Sequence, residues 1–186
     1  MGDTYTEIDA SLRSFIAAQH VFFVASAPTG ADGHINCSPK GLNTFRILGP
    51  TRVAYLDFVG SGVETIAHLR QNGRVVIMFC AFEGPPNIVR LHGRGNVVEP
   101  RDPEFEPLLA NFDAKPGVRA IVRVELTRIS DSCGYGVPLL GYEGERPQMG
   151  EWAERKGEAG LEKYQREKNA VSLDGLPGLR WTLARD

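Results

Sequence analysis

Residues Arg52–Phe82 read RVAYLDFVGSGVETIAHLRQNGRVVIMFCAF. Residues 52–58 are a β-prone run, and Val59-Gly60-Ser61-Gly62 is a flexible turn. The spacing then predicts a helix over 62–72, which Arg70 in its last turn and Gly73 just beyond it bring to a stop. Residues 74–82 are apolar at successive positions, as in a strand covered on both faces. This helix is the only one to interrupt the middle of a long run of strands.

Upstream, residues 45–48 predict a short strand closed by Gly49-Pro50. Residues 20–27 (HVFFVASA) and 34–38 (HINCS) predict a hairpin across the turn Pro28–Gly33, with Pro39 ending the return strand or marking an edge. Ile8, Leu12, Phe15 and Ile16 fall at helical spacing, so residues 4–18 predict an amphipathic helix capped by Asp3 or Thr4. Downstream, residues 88–98 predict a strand and 103–111 a short helix. In 119–129, Ala120, Val122, Val124 and Leu126 face one way, and Arg123, Glu125 and Thr127 the other. Six or seven strands by residue 130, joined mostly by short turns, predict a mainly β (α+β) protein. The expected architecture is a small antiparallel barrel with accessory helices, not a doubly wound sheet.

Beyond residue 130 the composition shifts to Gly, Pro and Tyr, then to a charged helical stretch over 148–168. The expected organisation is a barrel domain over 1–130 and an extension over 131–186, packed on the barrel or on a partner subunit. With 186 residues, 42% hydrophobic and 24% charged, the chain suits a single globular core. A net charge of −2 argues against a globally basic nucleic-acid binder. No stretch has the length of a membrane span and no signal-peptide pattern opens the chain, so a cytoplasmic protein is expected. Cys37, Cys80 and Cys133 form no C-x-x-C motif and are expected as buried, reduced thiols. The four histidines show no metal-ligand spacing, and no metal site is expected.

Three segments could carry chemistry. A Gly-rich turn entering a helix presents free N–H groups to an anion, and Gly60-Ser61-Gly62 stands at such a place. Ser61 with Glu64 three residues on is also the pattern of a capping box, which needs no ligand. In the strand 88–98, Arg90, His92 and Arg94 share one face, a cationic row suited to a phosphorylated ligand or simply a solvated face. In Cys37–Gly41, Ser38 and Lys40 offer donors beside Gly41, although Pro-Lys-Gly is also an ordinary surface turn. Asp57, just before the Gly turn, would hold a heteroring N–H or satisfy nearby backbone N–H groups.

Taken together, the blocks HINCSPKG (34–41), VAYLDFVGSGVETIAHLRQNGRVVIMF (53–79) and NIVRLHGRGNVV (87–98) resemble the pyridoxamine 5′-phosphate oxidase-like flavoproteins, the FMN-binding split barrels. The resemblance runs from about Phe15 to Ile129 and rests on the order and spacing of the three blocks. The tail, with SCGYGVPLLGY and KNAVSLDGLPGL, looks like a less characterised bacterial branch. The resemblance implies a six-stranded split β-barrel, a homodimer and FMN at the subunit interface, in an oxidoreductase of a small molecule. It implies a cofactor site built from Ser38, Lys40, Gly41, Asp57, Val59, Gly60, Ser61, Gly62, Arg90 and His92. Lys40 matches the family's phosphate-binding lysine, Asp57 to Ser61 the segment that passes the flavin and reaches the phosphate, and Arg90 the arginine of a VRVEG-like strand.

Two departures bear on activity. The authentic oxidase carries an Arg-Lys pair after the serine, where this chain has Gly62-Val63. The oxidase's C-terminal Arg-rich substrate motif has no counterpart in GLRWTLARD. The resemblance therefore implies FMN binding more than oxidation of pyridoxamine phosphate, and it names no catalytic side chain. Related barrels leave two other readings open: a non-enzymatic flavin or haem binding protein, and an F420-dependent reductase. The turn Ser132–Gly136 would cover the flavin from the partner subunit or be a plain turn.

Overall fold

The computed structural model describes residues 2–113 and 115–183. In chain order its elements are β1 (Thr4–Tyr5), α1 (Ala10–Ala17), β2 (Phe22–Ser26), β3 (Asn36–Lys40), β4 (Phe45–Gly49) and β5 (Arg52–Phe58). They continue with α2 (Glu64–Asn72), β6 (Arg74–Cys80), β7 (Ile88–Val98), α3 (Phe105–Leu109), β8 (Val118–Ser132), α4 (Gln148–Lys168) and α5 (Arg180–Leu183). The strands form one antiparallel sheet in the order β3-β2-β6-β7-β8-β5-β4, with β1 added on β8. The end strands β3 and β4 are not hydrogen-bonded to each other, so the barrel is split along that line.

The sheet has eight strands where six were expected. Part of the difference lies at the N-terminus. Thr4 and Tyr5 pair with Ser130 and Ile129 instead of opening a helix. The helix begins six residues later than expected at Ala10, and the Asp9 carboxylate, not Asp3 or Thr4, accepts from the Leu12 N–H at 2.8 Å. The strand expected over 34–38 runs over 36–40, so Pro39 lies inside it, opposite Phe23. Proline is tolerated there because β3 is an edge and needs no N–H on its open side.

Two apolar clusters hold the sheet. Inside, Val24, Tyr55, Ile77, Leu91 and Val122 are buried with Leu12 and Ile16 of α1 and Ile66 and Leu69 of α2. Outside, Ala54, Leu56, Val98 and Ile121 pack with Phe105 of α3. β5 and β8 are therefore covered on both faces, and each large side chain so buried contributes about 1.5–3 kcal/mol. Gly73 closes α2 with φ +70, the left-handed cap that glycine adopts without strain. α4 is broken at Gly157, where φ is +63. Beyond it, Leu179 is fully buried in the inner cluster.

Of the three thiols only Cys80 is buried. Cys37 is exposed on the edge strand β3, and Cys133 is exposed just beyond the end of β8. No helix among the described residues is long and apolar enough to cross a membrane.

Candidate functional site

A cleft of about 290 Å³ lies where the end of β3, the end of β5, the turn before α2 and Arg119 of β8 meet. Seven of the ten residues singled out from the sequence line it: Ser38, Lys40, Gly41, Asp57, Val59, Gly60 and Gly62. Ser61 sits in the same turn with its side chain exposed, outside the lining. Arg90 and His92 do not line this cleft. Arg90 donates to Ser132 Oγ at 2.9 Å, and His92 stands opposite Val76 and Arg128 in the sheet. Burial, then the Arg128 and Arg90 charges, push the His92 imidazole below its ordinary pKa.

The chemistry of the cleft is ionic. Asp57 lies on an otherwise apolar strand, and its side chain is only 2% exposed. Its Oδ1 accepts from Lys40 Nζ at 2.5 Å and its Oδ2 from Arg119 Nε at 2.8 Å. Asp57 was expected to serve a heteroring or nearby backbone N–H groups; two cations claim it instead. Burial pushes its carboxyl up, yet the charges and hydrogen bonds of Arg119 and Lys40 outweigh that and hold it down at about 2. Lys40 is the most accessible member at 19% exposed, against 7% for Arg119. The trio carries a net charge of +1.

The turn before α2 and the first residues of that helix also line the cleft. Val59 N–H donates to Gly117 O at 2.8 Å, and Ala67 N–H donates to Val63 O at 3.0 Å. Between them, the N–H groups of residues 60–66 find no protein acceptor among the described residues. The helix dipole adds to this concentration of positive partial charge. The capping box expected of Ser61 and Glu64 does not form. Val63 is the N-cap and receives no side-chain bond, while Glu64 Oε1 accepts from Leu173 N–H at 3.2 Å. The carboxylate is shared: one oxygen accepts from the tail, the other lies beside Gly62, and Glu64 itself lines the cleft.

Four contributors escaped the sequence reading. Asn36 Nδ2 donates to Thr65 Oγ1 at 2.9 Å, joining β3 to α2 across the cleft wall. Asn169 Nδ2 donates to Gly60 O at 2.8 Å, and Arg119 Nη1 reaches the same oxygen at 3.5 Å. Arg119 carried one signal: it precedes the alternating run of β8. Only the pairing of Asp57 with Ala120 in register reveals that it adjoins Asp57.

Residues 8–133 match the sequence profile of the pyridoxamine 5′-phosphate oxidase family. The chain is 42% identical to the pyridoxamine 5′-phosphate oxidase family protein ustO of Aspergillus flavus, over 94% of this chain and 77% of that protein. That relative is fungal, so most of the tail has a counterpart outside bacteria. Among solved structures, a point variant of HupZ from Group A Streptococcus superposes with a TM-score of 0.54 at 19% identity, covering 67% of this chain and 99% of that one. A candidate pyridoxamine 5′-phosphate oxidase from Lactobacillus delbrueckii superposes with a TM-score of 0.51 at 17% identity, covering 68% and 97%. At these identities the structures establish the split-barrel fold alone. The family follows from the profile match and the Aspergillus relative: the chain belongs to the pyridoxamine 5′-phosphate oxidase family.

Proposed function

We propose that this protein binds FMN and acts as an FMN-dependent oxidoreductase on a small molecule, as a homodimer. The observation that carries the reading is the unpaired run of N–H groups over residues 60–66, which reaches a cleft lined by Gly60, Gly62 and Thr65 and walled by Lys40 and Arg119, with Glu64 at its edge. A phosphate monoester is the ligand group that such a run and such a wall satisfy together, through backbone donors, a helix N-terminus and a mobile ammonium. The residues present fit the phosphorylated end of FMN without the family's Arg-Lys pair. Arg119, from the opposite side of the turn, keeps Asp57 paired, which leaves the more accessible Lys40 free to swing from Asp57 to the phosphate. Gly60, with no atom within 4 Å of where a Cβ would stand, leaves the backbone open to a close approach. The Ser38 and Ser61 hydroxyls add neutral donors at the rim.

The flavin ring supplies the redox chemistry when bound. The chain's contribution is placement: β3 and the 59–63 turn fix the phosphate end, and the ring then lies along the open line between β3 and β4. Arg90 and His92 supply a second polar surface on β7. In a homodimer the partner would cover the exposed Tyr135 and Leu139.

The test is the absorbance spectrum of freshly purified protein, followed by FMN titration and mass spectrometry of any released ligand. The expected result is a flavin spectrum or stoichiometric FMN uptake, with a particle mass by light scattering of twice 20.4 kDa. A colourless protein that takes up no FMN overturns the reading. A Soret band replaces it with haem binding, and release of a deazaflavin replaces it with F420 chemistry.

A further inference from the structure

Asn169 is fully buried, immediately after α4. Its Nδ2 donates to Gly60 O at 2.8 Å, while its Oδ1 is buried with no partner. A buried amide oxygen left unpaired is costly, so the side chain sits where it does for the one bond it makes. The surrounding loop is braced for that bond. Leu179 N–H donates to Asn169 O at 2.9 Å, Gly178 N–H to Ala170 O at 2.8 Å and Ser172 N–H to Leu176 O at 2.9 Å. Gly178 lies so close that a Cβ there would overlap the Asn169 carbonyl oxygen and stand 2.9 Å from both Val63 methyls.

The same loop meets the turn before α2 at three successive points: the Gly60 carbonyl through Asn169, the Val63 side chain through Gly178, and the Glu64 carboxylate through Leu173 N–H. Each contact holds a group that is not an N–H donor, and the three fall at residues 60, 63 and 64, within the run of donors over residues 60–66. Fixing the Gly60 carbonyl fixes the peptide plane whose N–H belongs to Ser61. Leu173 N–H engages one oxygen of the Glu64 carboxylate, while the other lies beside Gly62 at the cleft, so the loop also fixes where this charge sits.

We propose that the loop 169–179 is the positioning element of this anion site, and that Asn169 sets its preference for a phosphorylated over an unphosphorylated ligand. The inference deepens the FMN reading and rests on it only for the identity of the ligand. The tail thereby does from within the chain what a cationic pair after the serine would do by charge: it keeps the turn in the shape that receives a dianion.

The experiment has two arms on full-length protein. In the first, backbone ¹⁵N order parameters are measured without ligand for wild type and Asn169→Ala. Residues 60–62 are expected to fall from rigid values of about 0.85 to below about 0.6, with Val122 and Val124 of β8 unchanged. In the second, FMN and riboflavin affinities are compared. Asn169→Ala is expected to lower FMN affinity about tenfold, the order of one lost hydrogen bond, and to leave riboflavin affinity unaltered. A turn that stays rigid, or equal losses for FMN and riboflavin, overturns the proposal. If wild type binds neither flavin, the FMN reading fails and the first arm alone decides this one. Asn169→Ser, smaller but still polar and too short to reach Gly60, serves both arms should the alanine variant not fold.

Discussion

Asp57→Asn is the perturbation on which the ionic account of the cleft depends most. The substitution keeps the size of the side chain and removes its charge, leaving the 7% exposed Arg119 and the 19% exposed Lys40 without a counter-ion. Holding the carboxyl at about 2 instead of its ordinary 3.8 corresponds to about 2 kcal/mol of folded-state stabilisation at neutral pH. Stranding two largely buried cations raises the cost to about 3–5 kcal/mol. For a chain of 186 residues, each kcal/mol lowers the melting temperature by about 2–4 °C, so a fall of about 6–20 °C is expected at pH 7. The folded-state pKa lies below the unfolded one, so this stabilisation is complete above pH 3.8 and lost as pH falls through about 2. Urea unfolding followed by circular dichroism between pH 7 and pH 2.5 measures it. The gap between wild type and variant should be constant down to about pH 4 and shrink below that. A variant that melts within about 2 °C of wild type at pH 7, or a gap that persists undiminished into acid, refutes the reasoning.

Lys40→Met should lower FMN affinity by about ten- to a hundredfold, the range of a lost charge-assisted bond, as read by fluorescence quenching; unchanged affinity removes Lys40 from the phosphate site. Gly93→Ala forces a Cβ into the Glu125 carbonyl and should cost about 1–3 kcal/mol in chemical denaturation, whereas Gly60→Ala, with open space around it, should cost less than about 1. Equal losses at the two positions would show that close backbone approach is not what makes Gly93 necessary. The Tyr5 phenol, hydrogen-bonded to Asp131 and raised to about 12, should ionise late in an ultraviolet pH titration and return toward 10 in Asp131→Asn. Since the folded value lies above the unfolded one, the contribution of this bond is present below pH 10 and disappears as pH rises through about 12.

The centre of the fold was legible because its signals are local. Gly73 ends α2 and Arg52–Phe82 alternates between strand, turn and helix by composition alone. What escaped notice depends on distant partners. Thr4 and Tyr5 become a strand only because Ser130 and Ile129, far along the chain, offer a ladder. Pro39 reads as a terminator unless its strand is known to be an edge. Arg119 looked like the outer end of an alternating strand, but β8 is buried on both faces over residues 119–122, so its side chain is buried there. In the cleft, the segments 37–41 and 57–62 meet, and Ser38, Lys40, Asp57 and Gly60 come together, whereas Arg90 and His92 of the third motif lie elsewhere on the sheet. Asn36, Thr65 and Asn169 act through single side-chain bonds across 29 and 109 residues of chain, which no local pattern encodes. The Ser61–Glu64 pattern misled for the same reason, since a remote backbone N–H at Leu173 competes for the carboxylate.

The unsealed seam between β3 and β4 has a mechanical meaning. No rung of the ladder crosses it, so its two lips can part without breaking a single strand-to-strand bond. Lys40, at the tip of one lip, reaches over to Asp57 on the strand behind the other, and that ionic latch is what opening must release. A guest that offers Lys40 a better anion undoes the latch by the act of arriving, so entry and unfastening become one event.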